Sequence, residues 1–358
     1  METKRGKLTV LVGGQYGSEG KGAIAAHIAN EYGVHVRVGS PNAGHTIYWN
    51  GKKHVMQSIP CGWINPSAHI VIGRGALLNM KQFMKELVHI MEYFPDFLDR
   101  LHVDPKAGVL DERFHQMEGG VNGEMHKRIG STGEGVGPAR IARISRDPEC
   151  FQLFESVAEE YGLSKCLCPN TPLYIAEAQD SGVNILIEGT QGSALSLLHS
   201  YWPYCTSIDT NASGIISEVG IAPSRVTDVL MVCRTYPIRV AGNSGPMKNE
   251  ITWDELNRRM KEAGGTKEIT PEKTTVTHKV RRIAEWDDEL FKTSCTLNCP
   301  TEIALTFADY IDPTIYGCIN QLEIMCSEKI DRFLKQHLMG YEKELKYIST
   351  GPDTVVEV

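Results

Sequence analysis

No stretch of the 358-residue chain approaches the roughly 18 consecutive apolar residues that a membrane span needs. Its first residues, "METKRGKLTV", lack the apolar segment of a secretion signal. The expectation is a cytoplasmic protein with no membrane partner. A basic excess is missing too: 37 Lys and Arg against 44 Asp and Glu leave a formal charge of −7. That balance gives no electrostatic footprint for nucleic acid. The one basic cluster, Lys279 to Arg282, has no interleaved aromatics to stack bases. The ten cysteines are scattered, which suits reduced thiols better than a disulfide framework. Neither Cys166 with Cys168 nor Cys295 with Cys299 completes a four-ligand zinc set. No low-complexity linker and no internal repeat interrupts the sequence, so one domain over residues 1–358 is expected.

What is present is an alternation. The runs "KLTVLV", "VHVRV", "HIVIG", "NILIEG", "VTDVLMVC" and "EIALTF" are nearly continuous in apolar character, as in strands buried on both faces of a parallel sheet. Between them "NMKQFMKELVHIMEYF" and "TPLYIAEAQDSG" carry helical spacing. The fold class is therefore α/β, a mainly parallel central sheet flanked by helices. Two glycine-rich loops, Ile129 to Arg140 and Ile238 to Met247, are expected at the carboxyl edge of that sheet, where open α/β folds bind ligands.

The first strand runs into "GGQYGSEGKG", residues 13–22. Glycines let backbone amides approach phosphate oxygens, and Lys21 at a helix start adds a positive charge. The spacing is unusual. A phosphate-binding loop normally reads G-x-x-x-x-G-K-[ST], but five residues separate Gly14 from Gly20, and Gly22 stands where a hydroxyl is expected. "PNAGHT" follows the second strand and offers His45 as an acid, or as a donor to a phosphoryl transition state. "IEGTQG" places Glu188 and Gln191 on a turn, and "PYCTS" offers Thr206 and Ser207 as phosphate or base ligands. "THKVRRIAEWD" reads either as an ion-paired helix entry or as a clamp for carboxylate or phosphate.

In this order the segments resemble the adenylosuccinate synthetase family, from "GGQYGSEGKG" through "NAGHT", "GSTGEGVGPA", "EGTQG", "PYCTS" and "THKVRRIAEWD" to "ISTGPD". The compact length is more like the archaeal branch than the longer bacterial one. The resemblance implies a P-loop-like fold and a ligase that joins L-aspartate to a 6-oxopurine nucleotide, using a nucleoside triphosphate and Mg2+. The purine O6 is first phosphorylated, and the aspartate amine then displaces phosphate. By the same resemblance the donor nucleotide is held by Gly17, Ser18, Glu19, Gly20, Lys21, Gly22, Gly44, His45, Thr46, Arg281, Asp309, Ser349 and Gly351. The acceptor meets Ser18, Asn42, Ala43, Ser131, Thr132, Gln191, Thr206 and Lys279. Arg143 joins them from the second subunit of a homodimer with shared sites. Thr275, Val276, Thr277 and Arg281 hold aspartate in a loop over 275–281. Ser18 and Gly44 face the metal. Lys21, His45, Gln191 and Ser18 are the implied catalytic set.

Two departures point to a different substrate. The family has an aspartate at the position of Ser18, and its carboxylate takes the purine N1 proton. A hydroxyl has no useful basicity at neutral pH, and a positioned base is worth about 10²–10⁴ in rate. Either the chain is a silent nucleotide-binding regulator, or its substrate has changed. The retained Lys21, His45 and Gln191 favour the second. A serine leaves room for a 2-amino group and can accept from it, so the acceptor is expected to be dGMP, as in the viral branch that makes N6-succino-2-amino-2'-deoxyadenylate for 2-aminoadenine DNA. In the donor-base segments, 306–309 and 349–352, Phe307 stands where the family has a lysine, and Thr354 follows where many members have an arginine. Asp309 remains. ATP or dATP is expected over GTP. An ordinary synthetase using IMP and GTP is the alternative.

Overall fold

The computed structural model describes residues 5–120, 123–274, 279–338 and 340–358. All six apolar runs form strands of one sheet: β1 (Leu8–Gly13), β2 (Val34–Arg37), β5 (His69–Ile72), β7 (Ile185–Glu188), β8 (Asp228–Arg234) and β9 (Glu302–Thr306). Between them come β3 (His45–Trp49) and β4 (Lys52–Met56), paired as a separate hairpin, and β6 (Leu101–Val103). Two strands with no advance signal, β10 (Leu345–Gly351) and β11 (Thr354–Glu357), complete it. The nine-stranded order is β11-β10-β9-β8-β1-β7-β2-β5-β6. Every pairing is parallel except the terminal β10–β11 hairpin.

Both faces of this sheet are covered, which is why its strands read as unbroken apolar runs. Leu11 in β1 points to the face carrying α1 (Lys21–His27) and α2 (Met80–Met91), where it joins Ile24, Phe83 and Leu87. Its neighbours Val10 and Val12 point to the opposite face. There they meet Ile175 of α4 (Thr171–Asp180), Ile215 of α5 (Ala212–Val219), Phe291 of α6 (Asp288–Asn298) and Phe333 of α7 (Glu328–His337). Leu11, Val10 and Val12 are all fully buried, so truncating Leu11 to alanine would cost about 2–5 kcal/mol.

Parallel pairing sends the loops after β1, β2, β7, β8 and β9 to one edge. The glycine-rich stretches behave differently from a simple loop reading. Gly130 ends a short helix and α3 (Val136–Ser145) begins within the first of them. Ile238 and Arg239 of the second pair as a strand with Arg282 and Ile283. The placement of His45 also changes. Strand β2 is separated from β1 by β7, and His45 does not end β2 but opens β3. It reaches the first loop because β3 packs against α1.

Candidate active site

The loop between β1 and α1 is shaped by one of its own side chains. Gly17, Ser18 and Gly20 have φ of 87°, 57° and 95°. Glu19, fully buried, sits inside this curve. Its Oε1 accepts from the amides of Gln15 at 3.1 Å and Gly17 at 2.7 Å, and its Oε2 accepts from Lys21 Nζ at 2.7 Å. The Gln15 side chain bridges the backbone N–H and C=O of Arg234 with two bonds of 3.0 Å. Thr306 Oγ1 donates to the Glu19 carbonyl at 2.6 Å, and Arg234 Nη1 to the Ser18 carbonyl at 3.1 Å. The loop is thus fixed by the ends of β8 and β9 before any ligand arrives. Lys21 Nζ also donates to the Gln191 carbonyl.

The missing hydroxyl at Gly22 has a steric cause. A Cβ there would lie 2.7 Å from the Thr46 carbonyl oxygen and 3.1 Å from His45 Cβ. The close approach of α1 to β3 excludes any side chain. Ser18, by contrast, is exposed at the loop tip, in a left-handed conformation that Asp and Asn adopt more readily than most residues.

Arg37 and Glu188 end neighbouring strands and are register partners across β2 and β7. Arg37 Nη1 donates to Glu188 Oε1 at 2.8 Å, and His45 Nδ1 lies 2.5 Å from that same oxygen. The Cys61 amide donates to Oε2 at 2.7 Å. All three side chains are buried. Burial alone would raise the carboxyl pKa, but the His45 hydrogen bond and the Arg37 charge outweigh it and hold Glu188 well below its usual range. Burial, helped by the Arg37 charge, depresses His45, so its imidazole is neutral. Its Nδ1–H then donates to Glu188, which leaves Nε2 for the cavity. The donor atoms of His45, Cys61 and Glu188 lie within 4.8 Å of one another, but the cation of this group is the Arg37 guanidinium. It is an ion-pair network.

These elements open onto a cavity of about 960 Å³. At one end Gln191, with φ of 61°, donates from Nε2 to Thr206 Oγ1 at 2.9 Å. Arg239 is buried beside them, over the Tyr16 ring at 4.7 Å, and donates to the Tyr204 carbonyl at 2.8 Å. Glu118 organises the Ser131–Thr132 wall by accepting from Ser131 Oγ and the Gly135 amide. At the other end stand Phe307, Asp309, Tyr310, Tyr316, Ser349 and Gly351. The Arg234 guanidinium lies 3.8 Å from the Phe307 ring centroid and pairs with Glu272 at 2.7 Å. Arg281 lines the cavity as well.

Most of the expected residues meet here: Gly17, Ser18, Gly20, Lys21, Gly22, Asn42, Ala43, Gly44, His45, Thr46, Ser131, Thr132, Gln191, Thr206, Arg281, Asp309, Ser349 and Gly351 all line the cavity. Three do not. The Glu19 carboxylate is turned into the loop, which it templates. Arg143 in α3 does not line the cavity; it donates to the Lys106 carbonyl at 3.0 Å with its guanidinium 5.5 Å from the Phe151 ring centroid. Lys279 extends from an exposed position to within 3.0 Å of His126 Nε2. Thr275, Val276 and Thr277 lie outside the described residues. Arg37, Arg234 and Arg239 escaped sequence reasoning. A usable signal existed for the first two, because each is a charge placed directly after an apolar run at the carboxyl end of its strand, "VHVR" and "DVLMVCR".

A preformed glycine-rich loop of the phosphate-binding kind, a histidine–carboxylate pair and a cavity of about 960 Å³ define an α/β enzyme of nucleotide-dependent group transfer. The chain belongs to the adenylosuccinate synthetase family, whose model it matches over residues 10–158 and 149–320. It is 37% identical to the adenylosuccinate synthetase of Methanococcus aeolicus over 349 residues, covering 96% of this chain and 97% of that one. The Archaeoglobus fulgidus adenylosuccinate synthetase is 35% identical over 348 residues, covering 96% of each chain. Among solved structures, the succinoaminodeoxyadenylate synthetase of cyanophage S-2L, bound to dGMP and to dATP as an energy donor, superposes with a TM-score of 0.80 at 27% identity, covering 99% of this chain and 95% of that one. Fully ligated adenylosuccinate synthetase from Plasmodium falciparum shares the fold, with a TM-score of 0.82 at 20% identity, covering 99% and 100%. The chain is accordingly a carbon–nitrogen ligase. No helix among the described residues is long and apolar enough to cross a membrane.

Proposed function

We propose that this ligase condenses L-aspartate with dGMP at the expense of ATP or dATP, giving N6-succino-2-amino-2'-deoxyadenylate. The observation that carries the reading is Ser18, exposed at the tip of a loop that is otherwise built for phosphate. Its hydroxyl accepts from the 2-amino group and passes the N1 proton on to solvent. The purine O6 then attacks the terminal phosphorus of the donor, and the nucleoside diphosphate leaves. Lys21 exchanges Glu19 for the transferring phosphoryl group, while His45 and Gln191 stabilise the developing charge on its oxygens. In the second step the aspartate amine adds at C6, and the O6–C6 bond breaks to release inorganic phosphate. Arg281 and the 275–281 loop position the aspartate carboxylates.

Mg2+ prefers oxygen donors, and in this cavity the Gly44 carbonyl and the Ser18 hydroxyl are the groups that would hold it. Bound there, it would neutralise phosphate charge. The cyanophage enzyme, named with dGMP and dATP, supports the choice of substrates. We further propose one domain spanning residues 1–358, a homodimer in which Arg143 reaches the partner's acceptor site, and a cytoplasmic location. The identity to archaeal adenylosuccinate synthetases favours IMP and GTP as a second reading. Incubating the purified protein with aspartate, Mg2+ and dGMP, GMP or IMP, each with ATP, dATP or GTP, separates them by product mass. A succinyl adduct of IMP alone would refute the proposal. Absence of any adduct, with dGMP still bound, would mark a silent regulator.

A further inference from the structure

Asp309 lies at the donor end of the cavity, just past β9, and is only 4% exposed. Its carboxyl bonds to its own backbone amide, and among the described residues no other group hydrogen-bonds to it. Three ionisable neighbours bear on it. Lys267 is engaged with the Tyr316 hydroxyl at 2.9 Å and with the Tyr316 ring. Arg234 is paired with Glu272 and covers Phe307. Tyr310, whose hydroxyl feels the Asp309 charge, is the third. Burial pushes the Asp309 carboxyl up to about 7, and the two cations only partly oppose it.

An ionised carboxylate is a pure acceptor, and it matches the N1–H and 2-amino donors of guanine. A neutral carboxylic acid offers one donor and one acceptor. That pair matches adenine, whose N1 accepts and whose 6-amino group donates; guanine could meet it only through O6 and N1–H, with its 2-amino group left unpaired. We infer that Asp309 reads the donor base in its neutral form, its O–H donating to adenine N1 and its C=O accepting from the 6-amino group. The choice between adenine and guanine donors is then set by one proton on this carboxyl. The inference rests on the adenine-nucleotide reading above. Phe307 supplies a ring where a cation beside the carboxyl would have kept it ionised.

If each base selects one form, the ratio of kcat/KM for ATP over GTP follows the ratio of protonated to ionised Asp309. It then falls by up to about tenfold per pH unit. Titration of the triphosphate itself is common to both donors and cancels. The test measures this ratio at pH 6, 7 and 8, with the acceptor that the enzyme turns over, in wild type and in Asp309→Asn. The wild-type ratio is expected to fall at least roughly tenfold between pH 6 and 8. Asp309→Asn, whose amide is a fixed donor and acceptor, is expected to keep adenine preference at a pH-independent level. A flat wild-type ratio, or loss of ATP use in Asp309→Asn, overturns the inference. GTP preference at every pH with a ratio that still falls overturns the donor reading and leaves the proton's role standing.

Discussion

Replacing Glu188 by glutamine tests whether the buried network around His45 is catalytic equipment or only packing. The carboxylate accepts from three donors, His45 Nδ1 and Arg37 Nη1 on one oxygen and the Cys61 amide on the other. Glutamine has the same shape but a single acceptor oxygen. If that oxygen faces His45 and Arg37, the new NH₂ confronts the Cys61 amide across a 2.7 Å gap. If it faces Cys61, the NH₂ confronts Arg37. Either way a buried donor loses its acceptor, and Arg37, 2% exposed, loses its countercharge. Hydrogen bonds to charged groups contribute about 1.5–3 kcal/mol each, and a broken buried ion pair costs about 3–5 kcal/mol. A domain with about 5–15 kcal/mol of stability stays folded after such a loss but melts earlier. The imidazole loses more. With the oxygen turned to Cys61 nothing holds its proton on Nδ1, and with the oxygen turned to His45 the acceptor is a neutral amide shared with Arg37; a mis-set tautomer costs up to about 10⁴ in kcat where it has been measured in triad enzymes. The assay is twofold: thermal unfolding, and single-turnover release of nucleoside diphosphate in the absence of aspartate. The expected outcome is a lower Tm together with a phosphoryl-transfer rate down by at least about 10². A lowered Tm with an unchanged single-turnover rate would refute the catalytic role of the pair.

Ser18→Asp should lower the kcat/KM ratio of dGMP over IMP by at least roughly tenfold, about 1.4 kcal/mol, because a larger, charged group enters the space beside the 2-amino group. The left-handed backbone tolerates aspartate, so an unchanged ratio in a folded variant would mean the amino group is read elsewhere. Lys21→Ala should reduce turnover by 10²-fold or more; retention of above about a tenth of the rate would make the loop merely structural. Arg143→Leu should raise the KM for the acceptor, and mixing it with Lys21→Ala should restore part of the activity if each site borrows from its partner. No recovery in mixed dimers would mean that each subunit builds its site alone. Finally, burial lowers the His35 pKa to about 4, below its unfolded value of about 6.5. The unfolded chain therefore binds the extra proton first, and stability should drain away as pH falls from 6.5 toward 4, by up to about 1.4 kcal/mol per unit for this residue. Urea midpoints at pH 7.5 and 5 should show a smaller acid loss in His35→Gln; an equal loss would exonerate the histidine.

Strands buried on both faces announce themselves, which is why all six apolar runs were legible and with them the α/β class. β10 and β11 were not. "KYISTG" and "TVVE" are polar enough to pass for loop, because they stand at the sheet's margin. Chain order also hides sheet order, so nothing in the sequence said that β7 would lie between β1 and β2. The site divides along the same line. Groups whose chemistry is declared by type and spacing (Lys21, His45, Gln191) converge on the cavity as expected. Groups whose role depends on direction could not be read. Glu19 looks like a ligand in one dimension but turns away from the cavity in three. The glycine at 22, where a hydroxyl was expected, is explained only by the Thr46 carbonyl 2.7 Å from where a Cβ would stand.

The bond between Lys21 and Glu19 has a consequence for what the empty enzyme will tolerate. An ammonium already satisfied by a buried carboxylate and a carbonyl exerts little pull on passing anions. A ligand captures it only by offering more than Glu19 does, and a lone chloride or sulfate brings no base for Asp309 and no second phosphate for the loop amides. The resting pair therefore sets a threshold. Small inorganic anions should compete weakly, and tight capture should await a ligand that offers both a base and more than one phosphate.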